Sequence, residues 1–458
     1  MSYCVRIGAK LRHAFVVVGT GVAALLLGIQ SASALPSYAR QTGQQCAACH
    51  NGFPELTPYG RLFKLNGYTF GGGQSDLPPL AVMLQGVPSF TRTEGSQAGG
   101  AAPHYGPNNN FGALQSGSIF YGGAISSDLG IGAFAQATYD NVGRSFAWDN
   151  TDIRWAKSTT LGGETVFGVS LNNNPSLTDL WNSTPAWRFP FINSALAPGQ
   201  QPTATMIEST YAQQVLGLNA YTMWNRLVYA EIGGYKTLSQ GTDNALNGST
   251  STDAFQGVAP YWRLALQPQW GRSSFEIGTF GMAASIYPGR VYGFGTDHKT
   301  DIGFDAQYQF LTDQHSASLQ ASWITENQSL DASQAINSTN SNNHLRSLNI
   351  KTSYYYEQTY GATLGYFRID GSGDPVLYGP GTSLNSANNS PNTTGWIMEA
   401  DYIPFNHGGP DIWPWLNMKI GLQYIIYTKY AGAATNYDGN GRNASDNNTL
   451  FLFDWIAF

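Results

Sequence analysis

From Leu80 to Phe458 the chain repeats one pattern: runs of about ten residues in which apolar and polar side chains alternate, separated by polar loops. In DIGFDAQYQF, Ile302, Phe304, Ala306, Tyr308 and Phe310 share one face, while Gly303, Asp305, Gln307 and Gln309 share the other. WLNMKIGLQYI sets Leu416, Met418, Ile420, Leu422 and Tyr424 against Asn417, Lys419, Gly421 and Gln423. In WIMEADY, Trp396, Met398, Ala400 and Tyr402 oppose Glu399 and Asp401, and ASLQASW opposes Ala317, Leu319, Ala321 and Trp323 to Ser318, Gln320 and Ser322. A strand apolar on one side and charged on the other meets lipid or a core with the first face and water with the second.

Segments of this kind fall at 80–92, 115–126, 130–140, 150–159, 164–172, 208–223, 226–237 and 257–267. They continue at 272–286, 298–310, 315–326, 344–357, 360–370, 394–403, 415–429 and 449–458. Connections after even-numbered segments are brief (SSDLG, TTLGGE, WNR, LTDQH), and those after odd-numbered ones are long and polar, as at 173–207, 238–256, 327–343, 371–393 and 430–448. The connection 141–149 breaks the rule by being short. An even count with short–long alternation predicts an all-β fold, a transmembrane β-barrel of about 16 antiparallel strands with short periplasmic turns and long outer loops. A soluble sandwich or propeller also alternates apolar and polar positions, but it needs no such rhythm of loops. The last segment, TLFLFDWIAF, ends on Phe458 with Leu452 and Ile456 on its apolar face, and Asp454 interrupts that face.

Composition agrees. Charged residues are 11% of the chain, against about 25% in an ordinary soluble domain, and aromatics are 13%. The one long apolar run, Ala14–Ile29, follows Arg6, Lys10 and Arg12 and precedes Ala32-Ser33-Ala34, the layout of a cleaved secretory signal over residues 1–34. An uncleaved anchor would want a longer run. Cleavage removes Cys4 and three basic residues, leaving 20 basic against 29 acidic residues. That acidic excess speaks against nucleic acid as a partner. Export plus a barrel predicts the bacterial outer membrane, with membrane lipid as the first partner.

Residues 35–79 have a different texture and end in the Gly/Pro-rich linker Gly71–Pro79. They contain Cys46, Cys49 and His50 as Cys-x-x-Cys-His, the attachment signature of c-type haem. Two thiols bond to the macrocycle's two vinyl groups, and the histidine that follows reaches the iron as its axial ligand. A zinc site would want a second ligand pair nearby, a redox dithiol would want a βαβ context, and a plain disulfide would leave His50 without a role. The second axial position is open: Met83 is the nearest methionine downstream, but its place on the first strand reads as lipid-facing or packing. His104 in the first outer loop and a five-coordinate or solvent-ligated iron are the other choices. Arg40, Arg61 and Lys64 flank the motif as candidates for pairing with haem propionates, or as plain surface charge. RIDGSGDP (Asp370, Ser372, Asp374) and NYDGNGRN (Asp438, Asn440) resemble pieces of calcium loops but lack the downstream Glu, and read as Asp-Gly turns.

The stretch PSYARQTGQQCAACHNGFPELTPYGRLFKLNGYTF, residues 36–70, resembles the N-terminal segment of the fused outer-membrane cytochrome–porins, mono-haem c-type cytochromes joined to a barrel. The best-known members of that family are iron oxidases of iron-oxidising bacteria. The likeness is carried by about 35 residues and by the order of signal, stub, linker and barrel; the strands match in pattern only. It implies one covalent haem c on Cys46, Cys49 and His50, the last also the iron ligand. It further implies an iron(II):cytochrome oxidoreductase activity: electrons taken from extracellular Fe(II) or another reductant and passed to a periplasmic c-type cytochrome. Two alternatives stand beside it, a conduit with another donor or running outward, and a diffusion porin with a haem-bearing plug.

Overall fold

A computed structural model describes residues 35–458 except 72–76, 96–101, 103, 161, 199–202, 249–252 and 335–337. The expected signal peptide and the middle of the expected linker therefore lie outside the described residues. From Leu80 onward the chain forms one closed antiparallel barrel whose twenty hydrogen-bonded segments group into 16 staves. β1 is Leu80–Gln85 continued by Ser89–Thr93, and β2 is Asn110–Gly112 continued by Ser116–Ser126. β3 (Ile131–Asp140), β4 (Ser145–Thr159), β5 (Thr165–Asn172), β6 (Val215–Trp224) and β7 (Val228–Thr237) follow. β8 is built from Ala254–Phe255, Ala259–Leu266 and Gln269–Trp270. β9 (Ser273–Tyr287), β10 (Asp297–Leu311), β11 (His315–Ser329), β12 (Asn342–Tyr356) and β13 (Tyr360–Gly371) are the longest uninterrupted run. β14 (Thr393–Tyr402), β15 (Asn417–Lys429) and β16 (Thr449–Ala457) complete the set, and β16 closes the barrel by pairing with β1.

The alternation read from sequence becomes the two faces of the wall. On β10, Ile302, Phe304, Tyr308 and Phe310 are exposed outward, while Asp301, Asp305, Gln307 and Gln309 are buried in the lumen. Trp396, Met398 and Tyr402 of β14 likewise face out, and Glu399 and Asp401 face in. No helix among the described residues is long and apolar enough to cross a membrane; the strands do it instead. A closed barrel with an apolar outer belt is an outer-membrane protein. The short connections, such as 312–314 and 357–359, mark the periplasmic end, and the long ones mark the outside.

Three departures from the sequence reading have physical causes. The segment 208–214 is not strand: β6 begins at Val215, and Met206–Thr210 makes a wide helical turn inside the barrel. Its amides are held there by carboxylates, Ile207 donating to Asp301 Oδ2 at 2.7 Å and Met206 donating to Glu326. The described residues of the long connection between β5 and β6, 173–198 and 203–214, do not lie outside but fold into the lumen, because Leu177, Leu180, Trp181 and Ile192 need burial and the inward glutamines supply donors. Gln307 and Gln320 both donate to the Trp181 carbonyl, and Gln423 to that of Ile192. Finally, Asp454 is buried rather than a flaw in the apolar face: it accepts from the Val87 amide at the break between the two halves of β1.

A buried stub in the lumen

The 37 residues from Leu35 to Gly71 are not a free domain but pack against the polar lumen wall. Helix α1 (Pro36–Thr42) ends on Gly43, whose left-handed conformation (φ 68°) closes the last turn onto Ala39. The short helix α2 (Cys46–Cys49) leads into a two-residue ribbon, His50–Asn51 against Glu55–Leu56. Helix α3 (Pro58–Leu65) starts with proline in its first turn and Thr57 as its cap, the Thr57 hydroxyl accepting from the Gly60 amide at 3.2 Å.

Buried charge docks this stub to the wall. Arg61 donates to Gln307 (3.0 Å), Gln309 (2.7 Å) and Ser274 (3.0 Å). Glu55 Oε2 takes the Lys351 ammonium at 2.6 Å and the Ser318 hydroxyl at 3.1 Å, and its Oε1 takes Gln309 at 2.7 Å. Tyr68 donates to Asp152 at 2.6 Å, and Arg40 reaches the Leu80 carbonyl while its guanidinium lies over Trp415. Desolvation alone would raise the Glu55 pKa, but Lys351 outweighs it and holds the carboxyl below its usual range.

Candidate functional site

Two turns of backbone lock the motif residues in place. The Thr57 amide donates to the Cys49 carbonyl at 2.9 Å, and its hydroxyl donates to the Ala48 carbonyl at 2.6 Å. Helix α3 comes so close that a Cβ at Gly60 would stand 2.2 Å from that same Cys49 oxygen. The contact is with backbone, so nothing flexible can yield. Gly60→Ala is expected to loosen the stub by about 1–3 kcal/mol. Faster amide hydrogen exchange over residues 46–65, with the barrel staves unchanged, is the readout.

Cys49 and His50 line a cavity of about 460 Å³ between the stub, the wall and the inserted connection. That is a cofactor-sized volume. Its walls are largely aromatic, with Phe53, Phe63, Phe120, Phe134, Trp187 and Trp455 among them. Cys46 and Cys49 are both buried and not disulfide-bonded. Cys46 does not itself line the cavity, but three residues along a helical turn bring Cβ atoms to about 5–6 Å. Burial pushes the Cys49 thiol up to about 12. The same desolvation lowers His50 to about 4, against hydrogen bonds to the Pro54 and Glu55 backbone that pull it up. The imidazole is therefore neutral. Its Nδ1 lies 2.7 Å from the Pro54 carbonyl, which fixes the proton on Nδ1 and leaves Nε2 as the lone-pair nitrogen.

The structure separates the other candidates. Of Arg40, Arg61 and Lys64, only Lys64 lines the cavity. Its ammonium is held by the Leu177 and Asp179 carbonyls (2.8 and 2.7 Å) over the Trp187 ring, and burial together with Arg154 lowers its pKa to about 7. Arg40 and Arg61 are anchors of the stub, because the wall offers them buried carbonyl and amide oxygens that the surface would not. Of the two places offered for Met83, packing holds and lipid does not: it faces inward, buried in a cluster with Phe53 and Trp455, and lines the cavity. His104 lies outside it, in an exposed turn. Arg188, on the inserted connection, also lines the cavity, paired with Glu208 at 2.7 Å. Nothing in the sequence marks it, since an arginine in a long loop reads as external. Asp438 accepts the Asn440 and Arg442 amides in an Asp-Gly turn, as expected, whereas Asp374 caps the short helix Pro375–Tyr378 and Asp370 belongs to the end of β13, 2.7 Å from Arg368.

Position along the axis follows from two contacts. The Ala47 amide donates at 3.1 Å to the Asn406 carbonyl, in the connection between β14 and β15 at the periplasmic end. At the other end a second cavity of about 550 Å³ is lined by Asp140, Asp149, Asp243 and Asp253, and Asp149 also lines the first. The motif thus sits toward the periplasm, with an acidic recess between it and the outside.

No protein-family model matches the sequence, and no curated protein matches it. Among solved structures the chain is similar to the outer-membrane channel DcaP of Acinetobacter baumannii, at 12% identity over 84% of this chain and 99% of that one, with a TM-score of 0.43. It is similar also to Salmonella typhi OmpF in complex with daunomycin (12% identity, 83% and 97% of the chains, TM-score 0.47). A third, the outer-membrane protein OmpT of Vibrio cholerae, has 8% identity over 83% and 96% of the chains, with a TM-score of 0.41.

Proposed function

We propose that this outer-membrane barrel carries single electrons across the membrane on one covalent haem c, from extracellular Fe(II) to a periplasmic c-type cytochrome. The observation that carries the reading is the cavity on whose wall Cys49 and His50 stand together, with the imidazole held through Nδ1 by the Pro54 carbonyl. The residues fit the group: Cys46 and Cys49 are the two thiols, His50 the axial imidazole, and the aromatic wall the apolar surroundings. Lys64 and Arg188 are the cations on that wall suited to acidic side groups. When bound, the haem supplies a one-electron couple at its iron. The protein's part is to hold that couple away from bulk water and near the periplasmic mouth, where a soluble acceptor can approach. Asp140, Asp149, Asp243 and Asp253 in the outer recess favour a cationic donor over an anionic one. In the overall change, one Fe(II) outside becomes Fe(III), and one acceptor in the periplasm is reduced by one electron.

A diffusion porin with a haem-bearing plug is the second reading, favoured by the barrel itself, since 16 staves enclose room for an aqueous lumen. Anaerobic addition of Fe(II) to the purified, detergent-solubilised protein separates the two. Prompt appearance of reduced c-type absorption bands is the expected result. Bands produced by dithionite but not by Fe(II) would remove iron as the donor, and their absence with both reductants would remove electron transfer altogether.

A further inference from the structure

Granting the haem reading, on which this rests, we infer that Met83 supplies the second axial ligand to its iron, from the barrel wall rather than from the stub. A ligand for this position needs a nitrogen or sulfur lone pair, a place on the cavity wall and no prior commitment. Five described histidines besides His50 fail on place: His104, His298, His315, His344 and His407 line no part of the cavity. Lys64 is on the wall, but its ammonium already donates to two carbonyls. Tyr38 and Tyr68 are also on the wall; their hydroxyls donate to Ala133 (3.2 Å) and Asp152 (2.6 Å). The Met83 thioether has no hydrogen-bond partner among the described residues.

Other methionines are accounted for elsewhere. Met206, Met223, Met282, Met398 and Met418 line no part of the cavity. Among the described methionines, Met83 alone lines the cavity. The strand places it there: on β1 the period of two sends Ala81, Met83 and Gln85 inward. Its directly opposed neighbours on the same face are Ala457 of β16 and Ser118 of β2, both small. A long, unbranched side chain between two short ones has room to reorient without moving the wall. It also packs in one cluster with Phe53, three residues beyond His50.

The assignment has a functional consequence. Thioether ligation opposite histidine raises the potential of a haem couple, which suits a donor that gives up its electron reluctantly. It also joins the stub to the barrel through the cofactor, so the cofactor itself helps to seat the stub.

The test uses full-length, haem-loaded protein in detergent. The oxidised wild type is expected to be low-spin by electron paramagnetic resonance and to show the weak, long-wavelength sulfur-to-iron absorption band. In Met83→Leu, close to isosteric, that band is lost, the iron becomes high-spin and the midpoint potential falls, while covalent haem per protein is unchanged. Met83→His returns the iron to low spin with a bis-imidazole signature and without the sulfur band, which distinguishes ligation from mere packing. A haem-loaded wild type that lacks the band, or a Met83→Leu variant that keeps it, overturns the role of Met83 alone. Purified protein without covalent haem overturns the haem reading, and this assignment with it.

Discussion

Cys49→Ala yields a protein that inserts as a barrel but has lost nearly all covalently held haem, at least tenfold against wild type. In the proposed function the side chain forms one of two thioether bonds, and it stands on the cavity wall itself, so no neighbouring thiol replaces it: Cys46 would have its own bond to make, and Cys4 belongs to the expected signal. The barrel survives because its staves are joined by backbone ladders that do not involve Cys49. Two measurements on one gel check this. Heat-modifiable mobility reports the folded barrel, and peroxidase staining after boiling in detergent reports haem that only a covalent bond can retain. His50→Ala behaves differently, keeping both thiols and much of the stain but losing the spectrum of a histidine-ligated iron. If the double variant Cys46→Ala with Cys49→Ala keeps full stain, the motif is not the attachment site and the proposed function loses its footing.

The barrel was legible because its physics is periodic. A wall two-faced at every residue leaves the same signature on each strand, and Ile302–Phe310 states it as clearly in sequence as in space. The motif was legible because Cys-x-x-Cys-His is local. What could not be read was anything that depends on the lumen having contents. Residues 173–207 look like an outer loop because they are polar and long; that their described part folds inward is decided by distant glutamines, Gln307, Gln320 and Gln423, which offer donors only once the wall has closed. Met83 stayed undecided between lipid and packing for the related reason that alternation fixes which residues share a face but not which face looks inward when the strand is short and broken at Val87-Pro88. Arg40 and Arg61 looked like ligand-facing cations beside a cofactor motif, and only their carbonyl and amide partners show them to be anchors. Each miss is a long-range pairing between stub, insert and wall.

Those pairings carry the second large effect. Glu55 is fully buried, and three wall side chains, Lys351, Ser318 and Gln309, converge on its two oxygens. Glu55→Ala strands the Lys351 ammonium in the lumen without its counter-charge, and breaking a buried pair from one side costs about 3–5 kcal/mol. A stub of 37 residues has little core of its own to absorb such a loss. The expected outcome is that the stub leaves its seat while the barrel stays closed, read as a several-fold rise in single-channel conductance in planar bilayers. The double variant Glu55→Leu with Lys351→Met replaces the pair by packing and is expected to restore most of the low conductance. Acid should mimic the single variant, with a sign that the pair determines. Because Lys351 holds the Glu55 carboxyl below its ordinary value of about 4.3, the stabilisation is complete above that value. It is lost only as pH falls through the lower, folded-state value. Wild-type conductance should thus stay flat from neutrality past pH of about 4 and climb beneath it, whereas Glu55→Ala should be high throughout. Equal conductance of wild type and Glu55→Ala at neutral pH would mean that the stub does not obstruct the lumen, and the barrel would then have to be regarded as an open pore beside its electron carrier.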